Sequence, residues 1–166
     1  MAAGKPQGAL RYMLRAPAYL YRWNLGRLLG HRFLLLTHIG RRTGRQHETV
    51  LEVVQYRKDS HEAVVMSGFG RNSDWLLNIQ VRPEVTVAIG SQRFVAQYRF
   101  LSEHEAVEAF RDYEHRNRLA YPIIRYVLSR LLGWNYSGSG ADIRKAVAQL
   151  PLVAFRPAAP RLTTDS

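Results

Sequence analysis

The sequence predicts a single α+β domain that is mainly β, a small sheet closing on itself with helices set into its connections. Three observations carry that expectation. Five short segments, apolar or alternating, lie close together between residues 33 and 101. Helical periodicity precedes, interrupts and follows them. The chain of 166 residues, 46% hydrophobic and 22% charged, has ordinary globular composition and length for one core.

Residues 1–30 read as an amphipathic helical arm. Leu10, Met13 and Leu14, then Tyr21, Leu25, Leu28 and Leu29, recur at helical spacing, and Pro17 divides the stretch and starts its second helix. Arg11, Arg15, Arg22 and Arg27 interrupt it, so no apolar run is long enough to span a bilayer. Packing on the core and lying in a membrane interface both stay open.

Phe33 to Thr37 is a short apolar run ending at Gly40 and reads as a buried strand. Glu48 to Tyr56 reads as its neighbour, with Gly40 to Arg45 as the connecting turn. A third strand, Ala63 to Ser67, follows the polar turn Lys58 to His61. Ser73 is the expected N-cap of a short helix that carries Trp75, Asn78 and Ile79 on one face and stops at Pro83. Val85 to Ile89 and Arg93 to Leu101 form a hairpin across Gly90-Ser91, with Phe94, Ala96, Tyr98 and Phe100 on one face.

Ser102 and Glu105 have capping-box spacing for a longer helix carrying Ala106, Val107, Phe110 and Tyr113. Pro122 opens another, expected to turn Ile123, Ile124, Val127, Leu128, Leu131 and Leu132 inward before Gly133 stops it. A flexible loop, Ser137 to Gly140, leads to a helix from Asp142 to Leu150 and a last strand, Leu152 to Phe155, returning to the sheet. The expected organisation is an arm (1–30), strands with the site (31–101), a helical insertion (102–150) and a closing strand (151–156).

Charge is unevenly spread. The net charge is +11, yet no acidic residue occurs before Glu48, and a second acid-free stretch from His115 to Ala141 holds Arg116, Arg118, Arg125 and Arg130. The remainder is slightly acidic. Such asymmetry points to an anionic partner: a polyanionic small molecule, a membrane surface or nucleic acid. Nucleic acid has charge alone in its favour, without a recognition motif. The absence of cysteine excludes a thiolate metal cradle, a disulfide framework and a cysteine nucleophile. The six histidines lack metal-ligand spacing, and no serine has the glycine flanks of a nucleophile elbow.

The turn Gly40 to Arg45 is the strongest candidate site. Its two glycines let the backbone bend and expose amides, Thr43 adds a hydroxyl, and Arg41, Arg42 and Arg45 add positive charge, together a phosphate-holding set. A bare hairpin turn with solvated arginines is the competing reading. Ser67-Gly68-Phe69-Gly70 would let backbone approach a flat ligand, and Trp75 and Asn78 lie one helical turn apart. Glu52 shares a strand face with Val50 and Val54; if buried, it requires a partner, expected to be an arginine. No acid–base pair is evident, so an enzyme built on this chain would rely on a bound cofactor.

Leu34 to Gly44, followed by Thr49-Val50-Leu51, Ser67 to Gly70, Asp74-Trp75, Asn78 and Arg82-Pro83-Glu84-Val85, resembles the deazaflavin-dependent nitroreductase family of actinobacteria over residues 33–101. Leu150 to Val153 resembles that family's closing strand. The resemblance implies a split β-barrel of the FMN-binding type and reduced coenzyme F-420, in preference to FMN, as hydride donor. Carried over, Arg41, Arg42, Thr43 and Gly44 would take the cofactor's phosphate and oligoglutamate tail. Thr49, Val50, Leu51, Met66, Ser67, Gly68, Trp75 and Asn78 would surround the ring, and Tyr113, Tyr121 and Trp134 would face the substrate.

The implied reaction is hydride transfer to an unsaturated, nitro- or quinone-like apolar acceptor by a cytoplasmic monomer or dimer, with peripheral contact at the inner face of the membrane through the amino-terminal arm. A non-catalytic lipid- or membrane-surface-binding protein on the same barrel is the alternative.

Overall fold

Alternating apolar residues give each strand one side to bury, and closing the sheet lets all of them bury it together. In the computed structural model, which describes residues 30–159, six antiparallel strands close into a barrel in the order β1-β2-β3-β6-β5-β4. These are β1 (Phe33–Ile39), β2 (Gln46–Arg57), β3 (Glu62–Met66), β4 (Val85–Ile89), β5 (Gln92–Phe100) and β6 (Leu152–Pro157). Four helices join them: α1 (Asp74–Val81), α2 (Glu103–Arg116), α3 (Tyr121–Leu132) and α4 (Gly140–Gln149). The expected amino-terminal arm lies outside the described residues.

The interior is filled by Leu34, Leu36, Leu51, Val53, Val87 and Phe155, with Trp75, Leu76 and Ile79 of α1 plugging one end. A second core forms where Val54, Val64 and Ala154, on the outer side of β2, β3 and β6, meet Phe110 of α2, Val147 of α4 and the wholly buried Tyr136. A register shift between Val53 and Gln55 makes Val54 an extra residue on that outer side and brings Tyr56 rather than Gln55 against the inner core.

The helix signals act as expected at α2, where Ser102 and Glu105 form a full capping box, and at α3, where Pro122 sits in the first turn and Gly133 ends the helix with φ 77°. Ser139 caps α4 by accepting from the Asp142 amide.

Three readings require correction. Ser73 precedes α1 but caps nothing; its hydroxyl is spent on Ser67 and the Gly70 carbonyl. Phe100 diverges from the inward face of β5 and is 40% exposed. Ile123, expected inside, is 67% exposed, because α3 buries only a narrow stripe, of which Leu128 alone is fully covered.

Candidate functional site

The turn between β1 and β2 is closed by backbone bonds from the Gly40 amide to the Arg45 carbonyl and from the Gly44 amide to the Gly40 carbonyl, each 2.8 Å. Gly44 has φ 66°, a conformation that favours glycine, and open space around it. A Cβ on Gly40 would lie 2.8 Å from both His47 Nε2 and Thr43 Oγ1, so any other residue there would push these two side chains aside.

Helix α1 holds one side of the turn. The Arg41 amide and Nη1 donate to Asn78 Oδ1 at 3.1 and 2.9 Å, and its guanidinium meets Asp74 Oδ1 at 3.2 Å. Asn78 Nδ2 in turn donates to His38 Nδ1 at 3.2 Å. With Nδ1 accepting, the neutral imidazole carries its proton on Nε2 and donates it to Thr49 Oγ1 at 3.1 Å. His38 is 3% exposed, and its pKa falls to about 4. Burial is the larger cause and the neighbouring His47 the next, with Asp74 opposing both.

This chain of bonds divides the arginines. Arg41 is structural, locking the turn to α1. Arg42, Thr43 and Arg45 are exposed, and no acidic side chain pairs with Arg42 or Arg45 among the described residues. Two unpaired guanidiniums, a hydroxyl and open space at Gly44 form a donor set that fits a phosphate.

Beside the turn runs the outer side of β2 and β3, where Val50, Met66 and Gly68 are half-buried. A Cβ on Gly68 would meet Leu131 Cδ1 at 3.6 Å, so α3 lies directly over this backbone. Of the residues expected around a ring, these three share the accessible side. Leu51 and Trp75 point into the barrel, Trp75 with its ring centroid 6.3 Å from that of Phe155. Thr49 and Asn78 are committed to His38. Ser67 is buried, its hydroxyl 2.7 Å from the Gly70 carbonyl and 2.6 Å from Ser73 Oγ. The side chains of Leu51, Trp75, Asn78 and Ser67 are buried and that of Thr49 is half-buried, so these five build the wall.

The three expected substrate residues occupy separate environments. Tyr113 Oη donates to Glu52 Oε1 at 2.8 Å. Burial, then the Glu52 charge and hydrogen bond, push its pKa up, so the phenol stays protonated. Glu52 is exposed rather than buried, and its closest partner is this tyrosine, with Arg32 Nη2 at 4.0 Å. Tyr121 Oη donates to the Ser137 carbonyl at 3.2 Å and sits over Gly138. Trp134 donates to Gln149 Oε1 at 3.0 Å while Lys145 Nζ lies 4.2 Å from its ring centroid. Only Tyr113 has its polar atom on the β2 side.

Several polar residues were missed from sequence. His38 continues the inward phase of Leu34 and Leu36, a legible signal of burial. Glu62 is buried against Arg99 at 3.2 Å and Arg57 at 3.9 Å, and Arg99 also holds Glu105 at 2.9 Å, along a cleft of about 390 Å³ beneath α2. Tyr136 donates to the buried Glu114 at 2.6 Å, and burial raises the Glu114 pKa. Nothing local in the sequence marks those partners.

A family model described as F420H(2)-dependent quinone reductase matches residues 14–131. Among solved structures, an F420-H2 dependent reductase is similar with a TM-score of 0.50 at 15% identity, over 76% of this chain and 96% of that one. A protein described as a domain-swapped dimer has a TM-score of 0.51 at 15% identity, over 85% of this chain and 100% of that one. A pyridoxamine 5'-phosphate oxidase-related, FMN binding protein from Nostoc punctiforme has a TM-score of 0.49 at 15% identity, over 93% and 83% of the two chains. No curated protein matches the chain.

Proposed function

Starting from the chain's membership of the F420H(2)-dependent quinone reductase family, which makes it an F-420-dependent oxidoreductase on a split β-barrel, we propose that its acceptor is an apolar quinone-like molecule. We assign the cofactor's phosphate to the turn at Arg42, Thr43 and Arg45. The observation that carries this assignment is the division among the arginines: Arg41 is neutralised by Asp74, whereas the exposed Arg42 and Arg45 have no acidic partner among the described residues.

When bound, reduced coenzyme F-420 supplies a hydride. The chain's own residues bind and orient it. Arg42 and Arg45 supply charge-assisted hydrogen bonds to phosphate and tail, and the Arg41–Asn78–His38 latch keeps the turn in place for them. Val50, Met66 and the Gly68 backbone offer a half-buried apolar strip for a flat ring, with Leu131 of α3 above it to limit water. Tyr113, held to β2 by Glu52, keeps its proton on Oη and serves as an orienting phenol at the strip's edge. Tyr121 and Trp134, hydrogen-bonded within the helical region, act on substrate only by shaping that region.

Reduction of a quinone to a quinol needs one hydride and one proton. Burial and the Glu52 charge hold the proton on Tyr113, the phenol at the strip's edge, so water is the proposed proton source. The apolar lining and the family's description together support a quinone-like acceptor over a charged one. Fluorescence titration of coenzyme F-420, followed by anaerobic mixing of the reduced complex with a naphthoquinone, tests the reading. Saturable quenching and quinone-dependent reoxidation are expected; tight cofactor binding without reoxidation would refute the quinone assignment.

A further inference from the structure

Among the described residues, nothing covers an apolar face of helix α3 and the turn before it. Leu119, in the 3-10 turn Arg118–Ala120, is fully exposed at 101%, and Ile123 and Tyr126 follow at 67% and 66%. Their spacing of four and three residues puts all three on one side of the helix. The same side carries the exposed Arg130, whose guanidinium lies 6.0 Å from the Tyr126 ring centroid, and the exposed Arg118 adjoins Leu119 in the turn that begins the face. Arg125 belongs elsewhere, donating inward to the Tyr136 carbonyl at 3.2 Å.

Exposed leucine, isoleucine and tyrosine in contiguous register are unusual on a face meant for water alone. The surrounding charge selects the partner. From His115 to Ala141 the chain has no acidic residue, so nothing on this helix would repel an anionic surface. Apolar side chains centred between arginines, with a tyrosine among them, are the arrangement of a helix lying in a lipid headgroup layer.

We infer that the face formed by Leu119, Ile123 and Tyr126, flanked by Arg118 and Arg130, docks the protein on an anionic lipid surface. A different side of α3 bears Leu131, which covers Gly68. If the ring strip lies where the proposed function puts it, one helix separates it from the bilayer, the phase in which an apolar quinone dissolves. That consequence rests on the functional reading; the docking itself does not.

The test is co-sedimentation of the full chain with phosphatidylcholine vesicles made with and without phosphatidylglycerol. Binding is expected only to the anionic vesicles and should weaken with added salt. Leu119→Glu with Ile123→Glu should abolish it, whereas Leu119→Trp should preserve it. Arg118→Ala and Arg130→Ala should each lower the partition coefficient about fivefold, since a basic residue near such a surface contributes about 1 kcal/mol. All four positions are exposed, so thermal unfolding should be unchanged in every variant. Undiminished binding of the double glutamate variant would overturn the proposal and move lipid contact to the amino-terminal arm. Absence of binding to anionic vesicles would overturn it outright, as would a dimer in solution that the double variant dissociates. Failure of the coenzyme titration would leave this result unaffected.

Discussion

Replacing Asn78 by alanine removes the amide that joins the turn, β1 and α1. Its Oδ1 accepts from the Arg41 guanidinium at 2.9 Å and from the Arg41 amide at 3.1 Å, while Nδ2 donates to His38 at 3.2 Å. A hydrogen bond to a charged group contributes about 1.5–3 kcal/mol and a neutral one about 1 kcal/mol. Arg41 retains Asp74, and water reaches its half-buried backbone, so part of the sum is recovered. A net destabilisation of about 3 kcal/mol is expected, or about 6–12 °C in Tm for a domain of this size. The effect should appear in the cofactor-free protein, measured by urea unfolding followed by circular dichroism. In a double-mutant cycle with Arg41→Ala the losses should be strongly sub-additive, because both changes break the same latch. A loss below about 0.5 kcal/mol, or full additivity, would refute the assignment of Asn78 and Arg41 to structure.

Three further outcomes follow from buried groups. Neutral in the fold at a pKa of about 4 against 6.5 ordinarily, His38 takes up its proton first in the unfolded chain. Its contribution is therefore complete above pH 6.5 and is lost as pH falls to about 4, amounting to about 3 kcal/mol; His38→Gln should flatten that slope in unfolding titrations. Arg99→Met leaves Glu62 with the more distant Arg57 and should cost about 2 kcal/mol, against under 1 kcal/mol for Arg57→Met, in the same denaturation assay. At Gly138, φ is 83° and an added Cβ would overlap Tyr121 Oη, so Gly138→Ala should cost about 1–3 kcal/mol, only partly restored by Tyr121→Ala.

The barrel was legible because its signals are local. The apolar run at Phe33 to Thr37, the Gly90-Ser91 turn and the Ser102–Glu105 box each need only a few neighbouring residues. The tight turn after the first strand was legible too, through two glycines and three arginines in six positions. What each arginine does was not. Arg41 and Arg42 are adjacent and chemically identical, and only Asp74 and Asn78, more than thirty residues away, distinguish them. Ser73 was misread for the same kind of reason: the helix signal was sound, but the Ser67 loop took its side chain. Ile123 fits a helical stripe in sequence, yet α3 rests on the barrel along too narrow a line to cover it.

The most direct test of the central claim, that the Arg42 and Arg45 turn holds the cofactor's phosphate, compares two ligands. Equilibrium fluorescence titration should be run with coenzyme F-420 and with the deazaflavin lacking phosphate and tail, on the unaltered chain and on Arg42→Ala. The unaltered chain should bind coenzyme F-420 the more tightly, and Arg42→Ala should reduce that preference by about 1–3 kcal/mol while leaving the shorter ligand's affinity and the protein's Tm unchanged. Equal loss for both ligands, or no loss for either, would contradict the assignment.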